Sequence, residues 1–186
     1  MADIIRYTIF TAFLILACTL YLSLITHHPN DAAWTSAVQT QKLHNWAGLY
    51  GAYYSDITFT LFGRAAWLIP LLLIVFAYQL IVKKKMIHLT VPLIATRLGG
   101  VLLFLFTFSA LLDLSSASGG VIGNAISSFY VQLINFISRS TSVIIVYSGQ
   151  LLFALLALIG LTLASGAGPI RWADYFGDLL LTLKRK

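Results

Sequence analysis

The sequence has no glutamate, only one cysteine and only six acidic residues, all of them aspartate. Without Glu there is no HExxH metalloprotease helix and no glutamate general base, and neither a GxxxxGK[ST] phosphate loop nor a GxGxxG turn after a strand occurs. The lone Cys18 lies inside an apolar run, which excludes a disulfide framework, a CxxC pair and a thiolate metal cage. Charge is scarce too: 10% of residues are charged, against about 25% in an ordinary globular chain. By contrast, 59% of the 186 residues are hydrophobic, and the mean hydropathy is +0.89. One small core cannot hide that much apolar surface from water, so an ordinary soluble domain is excluded and lipid is the expected solvent.

What is present is long apolar runs. A hydrocarbon core about 30 Å thick needs about 20 helical residues, and four runs meet or approach this, at about 7–25, 65–82, 98–114 and 143–164. The first is longer than a signal-peptide core and has no A-x-A-like site in His27-His28-Pro29, so it reads as an uncleaved anchor. Pro70 inside the second run predicts a kink, because it frees a backbone carbonyl one turn earlier. Arg6, Lys83, Lys84, Lys85, Arg97, Arg171, Lys184, Arg185 and Lys186 fall on one side of a four-span chain, and Lys42, Arg64 and Arg139 on the other. The positive-inside rule then predicts both termini in the cytoplasm, with segments 26–64 and 113–142 outward. The expectation is an all-α integral membrane protein forming a single membrane domain over 1–186.

The segments between the runs have their own pattern. In 26–64, Trp34, Trp46, Tyr50, Tyr53, Tyr54, Phe59 and Phe62 alternate with Gly48, Gly51 and Gly63, which predicts a loop lying on the bilayer surface. Over 121–138, Ile122, Ile126, Phe129, Tyr130, Leu133 and Ile137 recur at helical spacing, while Asn124, Ser127, Ser128, Gln132, Asn135 and Arg139 occupy the other face. This predicts an outward interfacial amphipathic helix, introduced by the turn Ser118-Gly119-Gly120-Val121-Ile122-Gly123. A second amphipathic helix is expected over 169–186 on the cytoplasmic side, ending in Lys184-Arg185-Lys186. With Lys83-Lys84-Lys85 it forms the basic surface expected to face anionic lipid headgroups. Gly99, Gly100, Ser148, Gly149, Ala154, Ala157 and Gly160 are small enough for close helix approach, within one chain or between copies.

No catalytic, cofactor or metal site is expected. His27, His28 and His44 share the first outward segment with Asp31 and Asp56, but adjacent histidines point apart and do not chelate like an i, i+4 pair. His88 extends the basic patch beside the lysines. Arg64, Arg97 and Asp113 sit at span ends, where snorkelling makes a charge cheap, and a shared outer depth makes Arg64 and Asp113 a candidate ion pair.

Taken in order, Leu24-Ile25-Thr26 with His28-Pro29, Asp31 and Trp34 follow the first span, then His44-Asn45, Gly48, Gly51-Ala52 and Asp56. Phe62-Gly63 and Ile69-Pro70 stand at the second span, Arg97 with Gly100 at the third, and the Ser118–Gly123 turn after it. In this series the chain resembles the amino-terminal, four-span membrane domain of the FtsK-type DNA translocases of bacterial cell division. The resemblance implies anchoring at the division septum in the inner membrane, contact with divisome membrane proteins, self-association, and DNA handling only through a motor domain absent from this chain. It implies interaction or structural roles for His28, Pro29, Asp31, Trp34, His44, Asn45, Gly48, Gly51, Asp56, Gly119, Gly120 and Gly123, to which Arg64 and Asp113 are added from their place at the span ends, and no enzymatic activity in this segment. Two other functions are open to the residues themselves: a small oligomeric channel wetted by Ser148 and Gln150, or an accessory subunit of a membrane enzyme.

Overall fold

A computed structural model describes residues 2–31, 33–35, 43–82, 91–137 and 142–166. Among them there are six α-helices and no strand: α1 (Ala2–Ile25), α2 (Gly48–Phe62), α3 (Leu68–Val82), α4 (Val91–Ser116), α5 (Gly120–Ile137) and α6 (Ser142–Ser165), with a 3₁₀ segment Gly63–Trp67 joining α2 to α3. Among the described residues, five stretches are long and apolar enough to cross a membrane: Tyr7–Ile25, Gly48–Tyr78, Ala95–Ser116, Gly120–Ile137 and Val143–Ser165. The expected cytoplasmic helix over 169–186 and the Lys83–Lys85 cluster lie outside the described residues.

Helices α1, α3, α4 and α6 are apolar on every side, and side chains such as Ile15, Leu102, Leu151 and Leu158 are exposed on the protein surface. A helix of this composition is stable only in a large core or in lipid. The four associate as two pairs. In the first, α1 packs along α3, with Phe13 on Phe76 (5.6 Å between centroids) and Tyr21 on Trp67 (6.2 Å). In the second, α4 packs along α6 through glycines. A Cβ on Gly100 would strike the backbone of Ala164, and one on Gly160 would strike that of Phe104. Gly149 likewise makes room for Tyr130 and Leu114, whereas Gly99 faces open space. Gly100, Gly149 and Gly160 are therefore used inside the monomer, as close-packed helix contacts.

At one end, here called the capped end, α2 and α5 join the two pairs. The segment expected as a surface loop is in fact helical from Gly48. Its first turns face α1, where Ser23 Oγ donates to the Gly51 carbonyl (2.6 Å), and its last residue, Phe62, stacks near Phe106 of α4 (6.1 Å). The interpretation as a loop failed because the helix presents Gly51, Ala52, Ser55 and Asp56 inward, a small and polar face that sequence periodicity does not mark as buried. The kink expected at Pro70 is displaced as well. Pro70 is the third residue of α3, in the first turn, where a missing N–H is cheap. The bend falls instead at Gly63, whose φ of 56° and ψ of −134° lie in a region essentially closed to residues with a Cβ.

Helix α5 has three distinct faces. Gly123 and Ser127 are buried against the protein, Phe129, Leu133 and Phe136 are exposed and apolar, and Asn124, Gln132 and Asn135 are exposed and polar. At about 100° per residue, the apolar stripe lies a little over a third of a turn from the packed stripe in one direction, and the polar stripe about a third of a turn from it in the other. The side packed on the protein is thus the small stripe and not the large apolar one.

Candidate functional site: an aspartate-pinned cap

The loop between α1 and α2 is closed by Asp31. Its carboxylate Oδ2 accepts the Asn45 backbone N–H (2.8 Å), and Oδ1 accepts the His44 backbone N–H (2.8 Å) and the His44 Nδ1–H (2.9 Å). An ionised carboxylate only accepts, so the His44 tautomer with the proton on Nδ1 is selected. Asp31 is 1% exposed, wrapped by its own loop. Covering the carboxylate opposes its charge, but the bonds from His44 and Asn45 and the attraction of the His44 ring outweigh that and hold its pKa below the ordinary value of 3.8. His28 stacks on His44 with centroids 4.4 Å apart, and His28 Nδ1 accepts the Asn30 N–H (3.3 Å).

Asn45 relays this closure to the helices. Its Nδ2 donates to the Ser23 carbonyl of α1 (2.8 Å), and its Oδ1 accepts the Ala47 N–H (3.0 Å) just before α2 begins. One residue on, the Trp46 N–H donates to Thr26 Oγ1 (3.1 Å). A second aspartate, Asp56 of α2, accepts both the Thr35 N–H (2.8 Å) and its hydroxyl (2.6 Å). His27 Nδ1 lies 3.0 Å from Ser55 Oγ, and its ring packs on Phe59 at 5.1 Å. Gly51 is required where α2 passes the clasp, since a Cβ there would collide with the Asn45 amide.

On the other side of the capped end, the Ser118 carbonyl accepts the Arg64 backbone N–H (2.9 Å). Gly120, at φ 66°, abuts Gly63, and Gly119 and Gly123 let the start of α5 ride on the Ser109 carbonyl of α4. Asp113 accepts the Ser127 hydroxyl. The Arg64–Asp113 ion pair does not form among the described residues: Arg64 contributes its backbone, its side chain is exposed, and Asp113 is turned toward α5. Equal depth in a bundle does not put two side chains on facing sides. Ser148, considered as a pore residue, bonds to the Ile144 carbonyl (2.7 Å) and the Tyr130 hydroxyl (2.8 Å) inside the monomer.

Of the residues singled out in the sequence, His28, Asp31, His44, Asn45, Gly51 and Asp56 converge in the clasp, and Arg64, Asp113, Gly119, Gly120 and Gly123 in the glycine crossing. Pro29 and Trp34 are exposed beside the clasp, and Gly48, at φ 69°, opens α2. Ser127, expected on the polar face of α5, is buried instead, and the sequence did not show the roles of Ser23, Thr26, Thr35, Ser55, Ser109 and Ser127. Each is a small hydroxyl whose partner lies 14 to 47 residues away. His28, Asp31 and His44 bring potential ligand atoms within 4.8 Å of one another. Both oxygens of the carboxylate already accept hydrogen bonds and the two imidazoles stack at 25°, so these three residues tie the loop together as a clasp. Above the clasp, Trp34, Trp46 and Tyr50 are 66%, 76% and 90% exposed.

Residues 3–177 match the family described as the 4TM region of DNA translocase FtsK/SpoIIIE. The chain is 28% identical over 169 residues to the DNA translocase FtsK of Vibrio vulnificus, covering 87% of this chain and 16% of that protein. It is 29% identical over 161 residues to that of Pasteurella multocida (83% and 16%) and 27% identical over 173 residues to that of Pseudomonas aeruginosa (87% and 20%). The chain thus spans a fifth or less of the length of these relatives. It corresponds to their membrane region, and the ATPase motor of such translocases lies outside it. No solved structure matches. With its apolar helices and this match, the protein is a multi-pass protein of the bacterial inner membrane, and it belongs to the family of FtsK/SpoIIIE 4TM membrane domains.

Proposed function

We propose that the chain is the membrane anchor and assembly module of a cell-division DNA translocase, which it positions at the septum through contacts with divisome membrane proteins. The observation that carries this is the hydrogen-bonded cap: the residues tied by Asp31 and Asp56, together with the start of α2, leave the large aromatics Trp34, Trp46 and Tyr50 exposed. Exposed Trp and Tyr on a pre-organised surface are the side chains that dominate protein contacts, and they lose little conformational freedom on binding. In this reading both termini are cytoplasmic, the cap faces outward, α5 rests in the outer interface, copies of the chain self-associate, and the basic clusters Lys83–Lys85 and Lys184–Lys186 lie on anionic lipid headgroups. DNA is reached only through a motor outside this chain. No cofactor or catalytic residue is needed for such a role.

The test is a fluorescent fusion in dividing cells, comparing the native chain with a Trp34→Ala, Trp46→Ala, Tyr50→Ala triple variant. The native fusion is expected at the septum, and the variant, inserted at the same level, diffuse around the cell periphery. Peripheral signal from the native fusion during septation would overturn the anchoring role. Equal septal signal from both would overturn the role of the aromatic cap.

A further inference from the structure

Between the α1/α3 and α4/α6 pairs lies an apolar cleft of about 350 Å³, lined on one side by Phe13, Leu73 and Phe76 and on the other by Val101, Leu105 and Leu161. Arg97 also borders it, at the end opposite the cap. Gly166, at φ 63°, terminates α6 beside this guanidinium, where a Cβ would come within 3.2 Å of it. Along α4 the cleft runs from Arg97 to Leu105, eight helical steps or about 12 Å, against about 15 Å for the hydrocarbon depth of one leaflet. It therefore has the length of a single leaflet, a cationic group at one end and apolar walls beyond.

We propose that this cleft is a binding site for an anionic phospholipid, with the acyl chain between the helix pairs and the headgroup phosphate against Arg97. Two observations choose a lipid over a partner helix. A spanning helix needs the full hydrocarbon thickness of about 30 Å, whereas the lining of the cleft ends at Leu105 and Ile69 on the side of the capped end. Arginine supplies a planar set of donors suited to a phosphate, and basic pockets between spanning helices are where acidic headgroups bind. An acyl chain in the cleft also supplies the dispersion contacts that the facing walls of the two pairs do not make with each other. The site deepens the anionic-lipid contact proposed above for the lysine clusters but is separate from them, being a one-to-one pocket and not a diffuse surface attraction.

The experiment is native mass spectrometry of the chain released from vesicles of phosphatidylcholine with and without phosphatidylglycerol. One phosphatidylglycerol is expected to be retained per chain in preference to phosphatidylcholine. Arg97→Gln is expected to lower that preference about fivefold, or about 1 kcal/mol, and Arg97→Lys to restore part of it. Val101→Trp, which fills the cleft, is expected to abolish retention while leaving Arg97 in place, so a folding defect in one variant does not decide the matter alone. Equal retention of both lipids by the native chain would overturn the site, as would retention unchanged in both Arg97→Gln and Val101→Trp, or a dimer with the cleft closed and no lipid. Salt-sensitive association of a Lys83→Gln, Lys84→Gln, Lys85→Gln variant with phosphatidylglycerol vesicles tests the surface contact by itself, so the two readings fail separately.

Discussion

Replacing Asp31 by alanine removes the acceptor of three hydrogen bonds at once, two from backbone N–H groups and one from the His44 ring. The groups left behind are not equivalent. Asn45 is buried, so its amide N–H loses its partner without access to water, at about 1–3 kcal/mol, while the half-exposed His44 groups rehydrate and forfeit about 1 kcal/mol between them. The expected destabilisation is about 3 kcal/mol, and Asp31→Asn, which keeps one acceptor oxygen but turns an NH₂ toward a donor, is expected to cost about half of that. Denaturant unfolding in micelles, followed by the fluorescence of Trp34 and Trp46, which flank the clasp, measures both. A cost below about 0.5 kcal/mol for Asp31→Ala would mean that the loop is held by something other than this carboxylate. Acid titration supplies an independent arm. A carboxyl held below its unfolded value of 3.8 contributes stability that is present above that pH and is lost as the pH falls through the lower, folded value. The cap is therefore expected to stay closed down to about pH 4 and to open below it, with no such transition in Asp31→Asn.

Glycine substitutions separate conformational need from helix propensity. Gly120→Ala, at positive φ and against Gly63, is expected to destabilise by about 2 kcal/mol or more, whereas Gly99→Ala, in open space on α4, is expected to be neutral or stabilising by up to about 1 kcal/mol in the same unfolding assay. Gly160→Leu drives a side chain into the Phe104 backbone and is expected to separate α4 from α6, read as a lowered melting temperature and as loss of a cysteine crosslink engineered between the two helices. Tyr130→Phe removes the bond to Ser148 but keeps the ring on Phe153, so a loss of only about 1 kcal/mol is expected by thermal unfolding.

The apolar runs were legible because a spanning helix announces itself by length and composition alone, and α1, α4 and α6 follow them. Helix α4 begins earlier than its run, at Val91, because polar Thr96 and Arg97 interrupt hydropathy without interrupting helical geometry. Helix α2 was illegible for a converse reason: it is a helix whose buried face is Gly51, Ser55 and Asp56, chosen for close approach and hydrogen bonding, and hydropathy is blind to both. The clasp was half legible. The resemblance singled out its aspartates, histidine and asparagine, yet not the roles they play, because each role is defined by a partner far along the chain. Ser23 is the extreme case, a serine two residues before the end of an apolar helix, indistinguishable from any helix-surface hydroxyl until Gly51 and Asn45 fold back onto it.

The distribution of polar bonds carries the functional argument further than any single residue. Hydrogen bonds at Asp31, Asp56, Asn45 and Asp113 tie α1, α2, α4 and α5 together at the capped end, in company with two backbone crossings that only glycine permits. In hydrocarbon, apolar helices gain nothing by hiding from solvent, so the orientation of one pair against the other depends on such directional contacts and on close packing. The capped end supplies both. The α1/α3 and α4/α6 pairs are thus joined at the capped end, and the cleft lies between them beyond it. The hydrogen bonds that hold this end leave Trp34, Trp46 and Tyr50 exposed to the surroundings, which is what the docking role proposed for the cap requires.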